Sequence, residues 1–289
     1  MGELTPILID APGRSGTTLF MQLLGTSPAI AFDRKPPFES RYLSYFIRWA
    51  ELLRRPGGMT ETWGNWALDW EMDAPIGPFP WADDTLRRVP AGEEDLALRA
   101  LRAIWKEFSP IAARNSNPDA PDAVRYYAEK SVAWMADLIL DLGPCKVVML
   151  VRDPRDIWLS AQAFDRKRGF SGFGRDKFDS EDAWFANYAA GARSHLERAA
   201  SRRASETIEL VRYEDLVTDL TGEAARIGEW LGLDLDPGRV MAARESMRDH
   251  MTSGSPESSI GRWRQEMDGS TQARFERELG PQLRALGYA

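Results

Sequence analysis

The sequence predicts an α/β fold of three layers, with helices on both faces of a central, mainly parallel sheet. Two observations carry the prediction. Short apolar runs recur along the chain, each ending in a polar cluster that opens a helix-like stretch, and strands that alternate with helices pair in parallel. One of those runs, Lys146-Val147-Val148-Met149-Leu150-Val151, is continuously apolar rather than alternating, as a strand buried on both faces requires.

The first unit is Ile7-Leu8-Ile9-Asp10, a glycine-containing loop from Ala11 to Gly16, and a helix from Thr17 to Leu24. The second is Lys146 to Val151 followed by Arg152-Asp153-Pro154; Pro154 suits the first turn of a helix predicted to run to about Phe164. The third is Thr207 to Val211, followed by Arg212-Tyr213-Glu214-Asp215-Leu216 and a helix predicted through Trp230. Ligands of such sheets bind at the C-terminal ends of the strands, where all three polar clusters lie.

The 289 residues predict a single domain over 1–289 with an insertion at 55–125. Pro56, Gly57, Gly58, Pro75, Gly77, Pro78 and Pro80 make its first part irregular, and Asn115 to Asp122 reads as an exposed loop. Trp63, Trp66 and Trp70 share one face if that stretch is helical. A buried core face accounts for them; an aromatic wall for an acceptor is the alternative. The segment Asp165 to Asp182, with Gly169, Gly172, Gly174 and several basic residues, reads as a mobile, solvated excursion.

Composition narrows the function. No apolar run approaches the roughly 20 residues that span a bilayer, and the start, MGELTPILID, has no basic and apolar leader. A soluble, cytoplasmic chain is expected. Cys145 is the only cysteine, and His195 and His250 lie far apart, so neither a disulfide nor a metal site is expected. With 44 acidic against 37 basic residues the net charge is −7, which argues against nucleic acid as a partner. Local donors must hold any anionic ligand.

Ala11-Pro12-Gly13-Arg14-Ser15-Gly16-Thr17-Thr18 has a P-loop outline, in which backbone N–H groups at a helix N-terminus cradle an anion. Against the pattern G-x-x-x-x-G-K-[ST], Ala11 replaces the first glycine and Thr17 the lysine. Arg14 is the one basic side chain of the loop. A plain strand-to-helix turn is the simplest reading of the loop alone, and a P-loop-like α/β/α fold the reading when its neighbours are added.

Those neighbours make the chain resemble the sulfotransferases that use 3′-phosphoadenosine 5′-phosphosulfate (PAPS). The loop from Pro12 to Leu19 is similar to the family's 5′-phosphosulfate loop. Val151-Arg152-Asp153-Pro154-Arg155-Asp156-Ile157-Trp158-Leu159-Ser160 resembles its 3′-phosphate motif. About two helical turns separate the strand end from Ser160, which puts Arg152 and Ser160 on one face. Tyr126-Tyr127-Ala128-Glu129-Lys130-Ser131 resembles the E-K-[ST] segment, Val211 to Val217 a further match, and Ser258-Ser259-Ile260-Gly261-Arg262-Trp263-Arg264 the closing Gly-Trp loop.

The resemblance implies PAPS as co-substrate, no metal, release of 3′-phosphoadenosine 5′-phosphate (PAP), and a small-molecule, lipid or glycan acceptor. It implies cofactor contacts from Gly13, Arg14, Ser15, Gly16, Thr17, Thr18, Arg152, Ser160, Tyr213, Ser259, Gly261 and Arg262. Arg14 and Lys130 would neutralise charge on the transferred group. Neither histidine falls in a matching motif. The tyrosylprotein and many bacterial branches, with arginine in the first loop and a glutamate after the first helix, resemble this chain better than the cytosolic enzymes, whose closing Arg-Lys-Gly is missing. Glu39, in Pro36-Pro37-Phe38-Glu39-Ser40-Arg41, is therefore the candidate general base. A structural reading pairs Glu39 with Arg34, Lys35 or Arg41 as a first-turn carboxylate of a helix from Phe38 to Leu53, and pairs Lys130 with Glu129. The alternative functions are a P-loop kinase or other NTPase, and a non-catalytic nucleotide-binding protein of the same fold.

Overall fold

The computed structural model describes residues 2–32, 34–54, 96–131, 143–201, 205–242 and 252–288. Trp63, Trp66, Trp70 and the rest of 55–95, and also His250, lie outside the described residues. Strands β1 (Thr5–Asp10), β2 (Ile30–Ala31), β3 (Tyr126–Ser131), β4 (Lys146–Val151) and β5 (Ile208–Arg212) form one sheet in the order β2-β3-β1-β4-β5. Every pairing is parallel, with Ile9 opposite both Lys130 and Val148. The expected α/β class is observed.

Strand alternation explains the two faces. Leu8, Tyr127, Val147 and Met149 point into one apolar layer with Leu43 and Ile47 of α2 (Tyr42–Arg54) and Leu101 and Trp105 of α3 (Leu96–Ser116). Ile7, Ile9, Ala128, Val148 and Leu150 point into the other, against Phe20 and Leu24 of α1 (Thr17–Leu24) and Ile227 of α7 (Leu220–Leu231). A third cluster stacks Trp158 of α4 (Pro154–Arg168) on Trp184 of α5 (Glu181–Ser201), centroids 4.0 Å apart. It also packs the short α9 (Trp263–Glu266) and α10 (Gly269–Ala285) against them. The chain between is completed by α6 (Tyr213–Thr218) and α8 (Pro237–Ala242).

Three boundaries differ from expectation. Helix α4 runs past Phe164 to Arg168, because Arg166, Lys167 and Arg168 suit a helix C-terminus and Gly169 closes it in the left-handed conformation. Residues 165–182 are therefore not one excursion: α4, a 3-10 turn at Arg175–Lys177 and the start of α5 take up much of them. Where one helix was expected after Leu216 through Trp230, there are two, the first already beginning at Tyr213, because Asp219 leaves helical geometry and accepts the Gly222 amide as an N-cap. Finally, α2 begins at Tyr42 rather than Phe38, since Phe38 and Arg41 have φ of 66° and 52°. Glu39 is thus not a first-turn carboxylate.

Candidate functional site

The sheet order places the site. From β1 the chain passes to β2 and returns to β3 on one side, then crosses to β4 and β5 on the other, so the switch point lies between β1 and β4, where open α/β sheets bind ligands. The loop after β1 and the strand end of β4 flank that crevice.

In the loop, Arg14 and Gly16 are left-handed, with φ of 71° and 88°, and the backbone curls so that no side chain caps α1. Its first amides are left for an anion. Glycine is required at 16 because a Cβ there would overlap the Tyr213 ring as well as strain the backbone. At the end of β4, buried Arg152 donates to the carbonyls of Arg14 and Ser259, each at 2.8 Å, and lies 4.2 Å over the Tyr213 ring. Its Nε is buried with no hydrogen-bond partner among the described residues. Two turns along α4, Ser160 Oγ accepts from Arg14 Nε at 3.2 Å and lies 3.0 Å from Thr252 Oγ1. Burial, and then the neighbouring Arg152 charge, push the Arg14 guanidinium down to about 10, because desolvation and like charge both disfavour the charged form.

On the other flank, Lys130 at the end of β3 reaches Thr18 Oγ1 at 3.0 Å and the Pro37 carbonyl at 2.5 Å. Its ion-pair partner is Glu39, at 3.5 Å, and Glu39 also pairs with Arg41 at 3.2 Å. Burial lowers the Lys130 ammonium to about 8, against the opposing pull of Glu39. The expected structural pairing of Lys130 with Glu129 is overturned: neighbours on a strand face opposite ways, and Glu129 binds the N-terminal amides of α2 instead. The pairing of Glu39 with Arg41 is present, without the helix that was expected to frame it.

These groups line one cavity of about 620 Å³. Of the predicted residues, Gly13, Arg14, Gly16, Thr17, Thr18, Glu39, Lys130, Arg152, Ser160, Tyr213 and Ser259 are on its wall. Ser15 is wholly buried beneath, its Oγ without a partner among the described residues. Gly261 and Arg262 do not line it. The Gly261 amide donates to Asp156 at 2.6 Å, and Arg262 pairs with Glu266 at 2.7 Å. Asp156 also takes the Trp263 amide at 3.0 Å, which ties the closing loop to the first turn of α4; burial and nearby Asp153 raise its carboxyl to about 6.

Arg14, Arg41, Lys130, Arg152 and Arg168 face the cavity against a single carboxylate, Glu39, among the described lining residues. In a chain of net charge −7, that local excess of positive charge fits an anionic ligand. Sequence reasoning missed Phe164, Arg168 and Phe173. The first two were findable, since Ser160, Phe164 and Arg168 recur every four residues on one helix face; Phe173 comes from the following turn and carries no such signal. His195 is buried on α5 beside Asp10 at 3.7 Å, with Nε2 3.1 Å from the Leu150 carbonyl, away from the cleft. Among the described residues there is no cluster that could hold a metal ion and no helix long and apolar enough to cross a membrane.

Fold and cleft together define an α/β protein whose cationic crevice, between the first strand's loop and its neighbour's end, suits an anionic ligand. A model of the sulfotransferase family matches residues 6–237, and the chain belongs to that family. The fold is similar to a sulfotransferase from Alicyclobacillus acidocaldarius at 16% identity, covering 99% of this chain and 95% of that one with a TM-score of 0.47. It is similar to the sulfotransferase domain from the curacin biosynthetic pathway at 17% identity, covering 96% and 98% with a TM-score of 0.46. A mouse sulfotransferase complexed with PAP matches at 11% identity, covering 98% and 85% with a TM-score of 0.49. A search of curated proteins by sequence finds no match.

Proposed function

We propose that the chain transfers the sulfuryl group of PAPS to a hydroxyl of a small-molecule, lipid or glycan acceptor by in-line displacement, releasing PAP. The observation that carries the reading is the pair of anion stations in one cleft: the uncapped N-terminus of α1 with Arg14, and Arg152 with Ser160. PAPS has two anionic ends, and the residues fit them. The loop amides and Arg14 hold the 5′-phosphosulfate, while Ser160 and the unpartnered Arg152 Nε take the 3′-phosphate. Tyr213 and Ser259, joined at 2.8 Å, brace Arg152 from below. Gly261 and Arg262 act from the closing loop, which Asp156 secures.

Lys130 neutralises charge on the oxygens of the transferred group, and Glu39 accepts the acceptor's proton as the new O–S bond forms. The cavity has the volume of a small-molecule site, and the Phe164 and Phe173 rings give its wall an apolar stretch for the acceptor. Losing the lysine of a nucleoside-triphosphate loop is consistent with this donor, which has no β- or γ-phosphate to hold. The test is incubation with sulfur-labelled PAPS and a panel of phenol, steroid, long-chain alcohol and monosaccharide acceptors. Label transferred to one class, with equal PAP released, is the expected result; a protein that neither transfers label nor binds PAP ends the proposal.

A further inference from the structure

Consecutive residues of β3 reach around opposite faces of the sheet and grip the same stretch of chain. On the cleft side Lys130 holds the Pro37 carbonyl at 2.5 Å. On the far side buried Glu129 accepts from the amides of Leu43 and Ser44, each at 2.7 Å, and from Ser44 Oγ at 2.5 Å. Tyr127, two residues earlier and so on the same face as Glu129, donates to Glu129 at 3.0 Å and sits 3.4 Å from Ser40 Oγ. Helix α2 therefore receives its N-terminal carboxylate from a distant strand, where a local side chain usually supplies it.

Between these anchors lies Glu39, flanked by Phe38 and Arg41 in the left-handed region. Side chains rarely adopt that conformation, and it persists where the surroundings over-determine it. The clamp from β3 supplies that determination, and Glu39 sits where the clamped turn puts it.

We propose that Glu129 and Tyr127 are positioning residues of the cleft, whose hydrogen bonds to Ser40, Leu43 and Ser44 fix the turn at 38–41 and so hold the Glu39 carboxylate 3.5 Å from the Lys130 ammonium. The consequence for catalysis rests on the role proposed for Glu39; the geometric claim is testable without turnover.

The readout is the pH profile of reductive methylation of Lys130 in the folded full-length chain, followed by mass spectrometry. Glu39→Gln removes the carboxylate and lowers the Lys130 titration by about one pH unit. Glu129→Gln, whose amide would confront the Leu43 and Ser44 donors, gives a comparable downward shift. Tyr127→Phe gives a smaller shift in the same direction and, because it alters no formal charge at neutral pH, reports geometry alone; it also carries the test if Glu129→Gln does not fold. A purely stabilising role would lower the melting temperature of both variants and leave Lys130 titrating as in the wild type, which would overturn the proposal while leaving Glu39 as candidate base. An unchanged profile in Glu39→Gln would remove the Glu39 to Lys130 contact itself, and with it both the proposal and that reading of the base.

Discussion

Replacing Arg152 by alanine separates the two anion stations of the cleft. Arg152 is 5% exposed; two of its guanidinium nitrogens are taken by the carbonyls of Arg14 and Ser259, and Nε is left as a buried donor without a partner among the described residues. A hydrogen bond to a charged group contributes about 1.5–3 kcal/mol, and each 1.4 kcal/mol is a factor of ten. PAP affinity should therefore fall by about ten- to 150-fold. Adenosine 5′-monophosphate differs from PAP only in lacking the 3′-phosphate, so it samples the same loop and registers only whatever disturbance the lost Arg14 and Ser259 contacts cause. Calorimetric titration of both nucleotides into wild type and variant reads the difference directly. A selective loss for PAP is expected; equal losses for the two nucleotides would assign Arg152 to loop structure rather than to the 3′-phosphate.

Three further outcomes follow from the same geometry. Glu39→Gln should reduce turnover of any hydroxyl acceptor by about 100- to 10,000-fold, the usual contribution of a general base, with PAP affinity retained; wild-type turnover would reassign the base. Because burial holds Lys130 down to about 8 and a bound anion favours the ammonium, binding above about pH 8 must take up a proton. PAP affinity should then be insensitive to pH below that value and fall as pH rises above it, a slope that Lys130→Ala abolishes; the same slope in that variant would contradict the assignment. Gly16→Ala must place a Cβ into the Tyr213 ring in a left-handed backbone, and thermal unfolding should show a loss of roughly 1–3 kcal/mol. An unchanged melting temperature would mean that the loop is not held as described.

What was legible in the sequence is what depends on short-range pattern. The continuous apolar run 146–151 could only be a strand covered on both faces, and it is the inner strand β4. Pro154 marked a helix start, and α4 does begin there, with Asp153 as the cap that the structure adds. The two-turn spacing of Arg152 and Ser160 brought them to one wall. What was not legible depends on partners far away in the chain. The start of α2 is set by Glu129, more than 80 residues later, so Phe38 to Arg41 looked helical while tertiary contacts kept it out of the helix. Glu129 itself looked like the partner of Lys130, because only the pairing of β3 with β1 and β2 shows which face each side chain takes. The approach of Phe173 to Gly13 is likewise a meeting of remote segments.

The most direct test of sulfuryl transfer from PAPS by this cleft is calorimetric titration with PAP against ATP, each with and without Mg²⁺. Binding of PAP that is tighter than that of ATP and indifferent to the metal is the predicted result. A preference for Mg-ATP would contradict the account and return the loop after β1 to the kinases.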